Sequence, residues 1–207
     1  MSRPKRIWYP GATYHVMSRG NRRGVLYKDH DDYLSFLMHI SRTMERYPFK
    51  LHTLCLMTNH FHMLLETETD ALHKIMQKLL HSYSMDFNRR HKYKGHVFES
   101  RYTDCLVEDE RYFLEVSRYI HLNPVKALMV RSPLDYKYSS YDQFVSDKES
   151  GKKGIMEGLI NPDRVLSSFG HNPKEQYRMF VEGKISHAEQ ELLIQKDMRE
   201  DEMWLPW

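Results

Sequence analysis

Phe49-Lys50-Leu51-His52-Thr53-Leu54-Cys55-Leu56-Met57-Thr58-Asn59-His60-Phe61-His62-Met63-Leu64-Leu65-Glu66 is the stretch on which the fold turns. Two runs rich in β-formers, 49–57 and 60–66, flank the turn residues Thr58-Asn59 and read as a hairpin. Upstream, Tyr33, Phe36, Leu37, Ile40 and Met44 recur at helical spacing between Asp31 and Arg46. Before that helix, Ala12–Ser18 reads as a strand after Pro10-Gly11, and Gly20 through Gly24 as a basic loop. Downstream, Ile75, Met76, Leu79, Leu80, Tyr83 and Phe87 mark a helix from Leu72 to about Arg89. A basic stretch, Arg89 to Gly95, leads to a strand over Val97–Val107. Asp109-Glu110 then opens a helix that Asn123-Pro124 is expected to close. The order strand, helix, strand, strand, helix, strand, helix predicts an α+β fold: a ferredoxin-like (RRM-like) split βαβ antiparallel sheet with two helices on one face. The added helix is expected to pack elsewhere, near the hairpin. Beyond Tyr141 the pattern weakens. A boundary is expected near residue 147, followed by a small helical C-terminal extension over 147–207, with two or three short helices within 162–202.

The chain has 207 residues, 41% hydrophobic and 29% charged, a soluble mixture with core enough for one or two domains. No apolar run approaches the ~20 residues of a membrane helix, and the basic start lacks an apolar signal core. Two cysteines, Cys55 and Cys105, are too few for a disulfide framework. A reducing, cytoplasmic setting is the expectation. The net charge of +3 is unevenly spread: residues 1–28 hold seven Lys/Arg and no acid, whereas residues 186–202 sum to −4. A basic body with an acidic end suits a polyanionic partner, and equally a plain solvated surface.

In a strand, residues i and i+2 face the same way, so His60 and His62 project together and Phe61 points to the other face. Two neutral imidazoles so placed can hold one divalent cation, or can simply be two surface histidines in a chain with thirteen. Tyr119 and Asn123 stand one turn apart on one face of the last helix. Asn offers a neutral carbonyl oxygen suited to Mg²⁺ or Mn²⁺. Taken alone, Tyr119 also reads as a packed aromatic and Asn123 as a helix cap.

With these residues in view, the chain resembles the single-tyrosine HUH transposases, in particular the REP-associated tyrosine transposases and related insertion-sequence transposases. The resemblance rests on Tyr14-His15-Val16-Met17-Ser18-Arg19-Gly20-Asn21-Arg22, Asn59-His60-Phe61-His62-Met63-Leu64-Leu65, and Tyr119-Ile120-His121-Leu122-Asn123-Pro124-Val125-Lys126-Ala127. Tyr138-Ser139-Ser140-Tyr141 looks like the family's segment after the catalytic helix. The resemblance spans roughly residues 7–145 and implies a catalytic domain over 1–146. It implies that Tyr119 is the catalytic nucleophile and that His60, His62 and Asn123 hold a metal ion, Mg²⁺ or Mn²⁺. It further implies cutting and rejoining of single-stranded DNA through a 5′-phosphotyrosine link, at hairpin ends of mobile or repeated elements, by a monomer or a homodimer.

For contacts to DNA, Arg19, Arg22 and Arg23 form one candidate group, and Arg89, Arg90, Lys92 and Arg101 a second. Trp8, Tyr9 and Tyr93 are candidates for stacking on unpaired bases. The rival readings are a non-catalytic nucleic-acid-binding protein on the RRM-like scaffold, a metal-dependent hydrolase that forms no adduct, and a replication-initiation nuclease with the same histidine pair. The Tyr119–Asn123 spacing argues against the first, since a passive binder has no use for it.

Overall fold

A computed structural model describes residues 7–146 and 154–183. Four strands form one antiparallel sheet: β1 (Thr13–Arg19), β2 (Phe49–Leu56), β3 (His60–Thr67) and β4 (Thr103–Val107). Their spatial order is β2-β3-β1-β4, the arrangement of a split βαβ unit. The helices are α1 (His30–Arg46), α2 (Leu72–His91), α3 (Glu110–Lys126), α4 (Asp142–Val145), α5 (Asp163–Ser167) and α6 (Pro173–Glu182). No described helix is long and apolar enough to cross a membrane.

Helices α1 and α2 cover one face of the sheet. Phe61 enters the core there, its ring 5.1 Å from Phe36 of α1, which meets Tyr83 of α2 at 4.9 Å. Helix α1 starts where Asp29 accepts the Asp32 N–H at 3.1 Å, an ordinary N-cap. The buried Asp32 carboxylate in turn takes hydrogen bonds from Lys28 N–H, Arg90 and His91, tying the end of α2 to the start of α1.

Helix α3 lies on the opposite face, over the β2–β3 hairpin, where Phe113 meets His52 at 5.1 Å. His52 is the extra residue of a bulge between Leu51 and Thr53, which turns its ring onto the same face as Glu66, with Nε2 3.1 Å from the Glu66 carboxylate. The C-terminal segment packs on this side too. Arg164 of α5 bonds Glu66 at 2.9 Å and lies over the Phe113 ring. Tyr177 of α6 meets Ser117 at 2.6 Å and His121 at 2.7 Å, both on α3. Helix α3 is thus clasped between the sheet and α6.

The segment Tyr138–Tyr141 finishes the β2 edge: Leu56 N–H donates to Tyr138 O at 2.9 Å and Ser140 N–H to Leu54 O at 2.8 Å. An edge so covered offers no open ladder to another chain.

Two boundaries differ from the sequence reading. The expected strand over 97–107 is in two pieces. Val97 and Phe98 are buried and a lone bridge joins Gly20 to Phe98, but the exposed Ser100 and Arg101 interrupt the ladder before β4 resumes at Thr103. The second difference is at Asn123-Pro124, which does not close the last helix. Proline removes one hydrogen bond and crowds the preceding turn, which ends many helices. Here the ring of Pro124 is buried, and the final turn is kept by Ala127 N–H on Asn123 O and Leu128 N–H on Val125 O, both 2.9 Å. Lys126 is thereby brought onto the helix. The acidic stretch 186–202 lies outside the described residues.

Candidate active site

The site is built on the sheet face beneath α3. Antiparallel register sets Arg19 opposite His60 and Met17 opposite His62, so His15, placed two residues before Met17, is the diagonal neighbour of His62 on the same face. Nε2 of His15 and Nδ1 of His62 stand 3.1 Å apart, and the two rings stack at 5.3 Å. His60 and His62 meet edge-on at 5.1 Å, as their i, i+2 spacing requires. Nδ1 of His60 lies 2.7 Å from Oδ1 of Asn59.

Helix α3 brings Tyr119 down onto this face. Its ring lies 5.6 Å from His62 and 5.8 Å from His15, edge-on to both. Lys126, seven residues on and so on the same helix face, holds its Nζ 4.7 Å from the Tyr119 ring centre. The continuation of the helix through Pro124 makes that contact possible. Asn123 does not cap the helix; its Nδ2 donates to Tyr119 O at 2.9 Å, which leaves its carbonyl oxygen outside that bond.

Burial sets the protonation of the pair. Burial removes water from His60, and with the Arg19 charge beside it the ring is pushed down to about 4. His62 is buried as well, and burial, then His60, His15 and Lys126, hold it well below the ordinary histidine value. Both imidazoles are therefore neutral near pH 7, the form whose nitrogen lone pair can bind a metal ion. Among the described residues no three His, Cys, Asp or Glu side chains gather to hold a metal. The two imidazoles together on this face, with the Asn123 carboxamide a turn from Tyr119 on α3, are donors of a kind that fits a labile Mn²⁺ or Mg²⁺ completing its shell with phosphate and water. They do not fit a closed structural zinc site.

The candidate DNA-contacting residues fall into distinct surroundings. Arg19 ends β1 beside His60 and also bonds Glu99 at 3.1 Å. Arg22 and Arg23 are exposed on the loop after β1, both in the left-handed region at φ 53° and 58°. Gly20 makes that loop possible, because a Cβ there would sit 2.0 Å from the Gly24 carbonyl oxygen. Arg101 is exposed and lines a shallow pocket with Arg19, Glu99 and Thr103. Arg89 is paired with Asp86, and Arg90 with Asp29, Asp31 and Asp32. Lys92 is the exposed left-handed residue ending α2. Trp8, Tyr9 and Tyr93 are 38%, 47% and 44% exposed, open enough to stack.

Two residues of the family-like segments, His15 and Lys126, take places that the sequence left unassigned, and a third, His121, near enough to Tyr119 in sequence to be a candidate for accepting its proton, is placed away from it. His15 and Lys126 join the site, the first through strand register and the second through the i+7 helix repeat. His121, two residues from Tyr119, points the other way. It is buried between Tyr177 and Ser140, its Nε2 2.8 Å from Ser140 Oγ, and burial holds it down to about 3. It is thus a core hydrogen-bonding residue and no proton acceptor for Tyr119.

Comparison with known proteins agrees with this architecture. A REP-associated tyrosine transposase bound to a REP hairpin shares the fold at TM-score 0.61, with 20% identity over 75% of this chain and 90% of its own. A Haemophilus influenzae protein, described provisionally as a REP-associated tyrosine transposase, is 29% identical over 126 residues, 55% of this chain and 72% of that protein. The family model for IS200-like transposases matches residues 9–123, which takes in β1, the histidine pair of β3 and the Tyr119–Asn123 turn of α3, and the chain belongs to that family.

Proposed function

We propose that the protein cuts and rejoins single-stranded DNA through Tyr119, with a Mg²⁺ or Mn²⁺ ion held by His60, His62 and Asn123. The observation that carries this reading is the Tyr119 ring set edge-on against His62 within one chain. The phenol oxygen attacks the scissile phosphorus; the bond from phosphorus to the 3′-oxygen breaks, and that oxygen takes a proton and leaves as a 3′-hydroxyl. A second 3′-hydroxyl attacking the phosphotyrosine reverses the exchange. Because one ester replaces another, no nucleotide cofactor is needed. A phenol with an ordinary pKa near 10 is a weak nucleophile at neutral pH. A cation held by His60, His62 and Asn123 would supply charge neutralisation to the phosphate under attack. Lys126 and Arg19, beside Tyr119 and His60, add positive charge on the same face. Between the two ions, paired imidazoles favour Mn²⁺ over Mg²⁺.

Hairpin DNA is the proposed substrate, by analogy with the fold relative that is bound to a REP hairpin. Arg22, Arg23, Arg101 and Lys92 are exposed and suit phosphate contact, with Arg19 nearer the cut; Arg89 and Arg90 are engaged with acids and contribute less. We assign residues 1–146 as the catalytic unit and 147–207 as an extension whose described part braces α3 from behind. Tyr119 lying against His62 of its own chain supports action in cis, without exchange of α3 between copies. The sheet face that a passive RRM-like binder would present to bases is covered by α3, which disfavours that reading.

The test is a denaturing gel with a 3′-labelled hairpin oligonucleotide and Mn²⁺. Wild type should shift label onto protein. Tyr119→Phe should form no adduct while keeping hairpin affinity within about threefold, and His60→Ala with His62→Ala should lose cleavage but remain folded. Adduct formation by Tyr119→Phe would move the nucleophile to another tyrosine, and cleavage without any adduct in wild type would favour a hydrolase.

A further inference from the structure

Asn59 immediately precedes the histidine pair and is held in one orientation. Its Nδ2 lies 3.2 Å from the backbone carbonyl of Arg23, a group that can only accept, so the amide nitrogen must face it. The amide oxygen then faces Nδ1 of His60, at 2.7 Å, and can only accept in turn. The hydrogen on the neutral His60 ring therefore sits on Nδ1, and its lone pair is at Nε2. Asn59 is itself anchored, since its own carbonyl accepts the Gly20 N–H at 2.8 Å. The loop with Arg22 and Arg23 in left-handed conformation thus fixes the carbonyl that fixes Asn59.

His62 has a different partner in the same role. Its Nδ1 faces Nε2 of His15 at 3.1 Å, and a single hydrogen lies between them. For His62 to present a lone pair at Nε2, that hydrogen belongs to His62, whose Nδ1–H donates to His15. The stacked His15 ring, edge-on to Tyr119, is rigidly placed for this.

We propose that Asn59 and His15 are positioning residues that hold His60 and His62 in the Nδ1–H tautomer, so that both rings offer Nε2 to one divalent cation. The proposal rests on the cation-binding reading above and adds to it which nitrogens bind and what selects them. Metal-bound histidines depend on such outer partners for tautomer and ring orientation, and losing one costs 10–100-fold in metal affinity. Position 59 needs a side chain that donates to Arg23 and accepts from His60 at short reach, which Asn provides.

The experiment uses the full chain labelled with ¹⁵N. Long-range ¹H–¹⁵N spectra of the metal-free protein report the tautomer of each histidine, and Mn²⁺ titration reports affinity. Wild type should show His60 and His62 as Nδ1–H. Asn59→Leu should lose that signature at His60 alone and bind Mn²⁺ 10–100-fold more weakly. Asn59→Asp, which keeps an acceptor for His60 but gives up the donor to the Arg23 carbonyl, should restore the signature at His60 and only part of the affinity. His15→Phe should move His62 in the same way, with His15→Gln as its rescue. A wild-type His60 in the Nε2–H form, or Asn59→Leu and His15→Phe proteins with wild-type tautomers and affinity, would overturn the proposal while leaving the cation reading standing. Wild type binding Mn²⁺ no better than His60→Ala with His62→Ala would overturn the cation reading, and this proposal with it.

Discussion

Lowering the pH from 7.5 to 5.5 should leave the Mn²⁺ affinity of this protein almost unchanged. Two ordinary histidines, with pKa near 6.5, would each go from about 90% neutral to about 9% neutral over that range. A site needing both neutral would then lose about 100-fold in affinity. Here burial, with Arg19 beside it, pushes His60 down to about 4, so about 97% of it is still neutral at pH 5.5. His62 is held well below its ordinary value by burial, then by His60, His15 and Lys126, and behaves likewise. The expected loss is less than about twofold. Electron paramagnetic resonance of free Mn²⁺ during titration of the full chain measures it directly. His60→Ala with His62→Ala serves as the baseline for binding elsewhere on the surface. A loss of tenfold or more at pH 5.5 would mean that the pair titrates as exposed histidines do, and the account of how burial desolvates it would be wrong.

The same depressed histidines should make the fold acid-sensitive well above the carboxylate range. A histidine held neutral when folded takes up a proton only on unfolding, so its contribution is intact above pH 6.5 and is lost as pH falls toward its folded value. For His60 at about 4 and His121 at about 3, the loss at pH 5 is about 2 kcal/mol each. Urea unfolding at pH 7.5 and pH 5 checks this, and His121→Gln should shrink the drop by about 2 kcal/mol; an equal drop in wild type and variant would contradict it. On the DNA side, Arg22→Ala and Arg23→Ala should each weaken hairpin binding and lower the slope of log affinity against log salt by about 1. Arg90→Ala should leave that slope alone and instead lower stability, because it removes one of the partners of the buried Asp32 carboxylate; the two effects exchanged would reverse the assignment of these arginines.

Much of this molecule is legible from local pattern. The hairpin around Thr58-Asn59, the amphipathic stripes of α1 and α2, and the outward pairing of His60 with His62 all follow from periods of 2 and 3.6 residues, which need no knowledge of neighbours. Helix ends are less legible. Asn123-Pro124 carries the local signal of a stop, yet the burial of Pro124 lets the helix run to Lys126. The strand expected over 97–107 likewise breaks over the exposed Ser100 and Arg101.

The site divides along the same line. Spacing along the chain determines that His60 and His62 share a face, and that Tyr119, Asn123 and Lys126 share another, since each set lies within one regular element. Only tertiary structure decides that these faces meet. His15 joins them through the register of β1 on β3, and His121 is sent into the core by α6 and the Ser140 segment. Strand register and helix docking are fixed by packing between residues far apart in sequence, and a side chain's chemistry depends on what that packing places beside it.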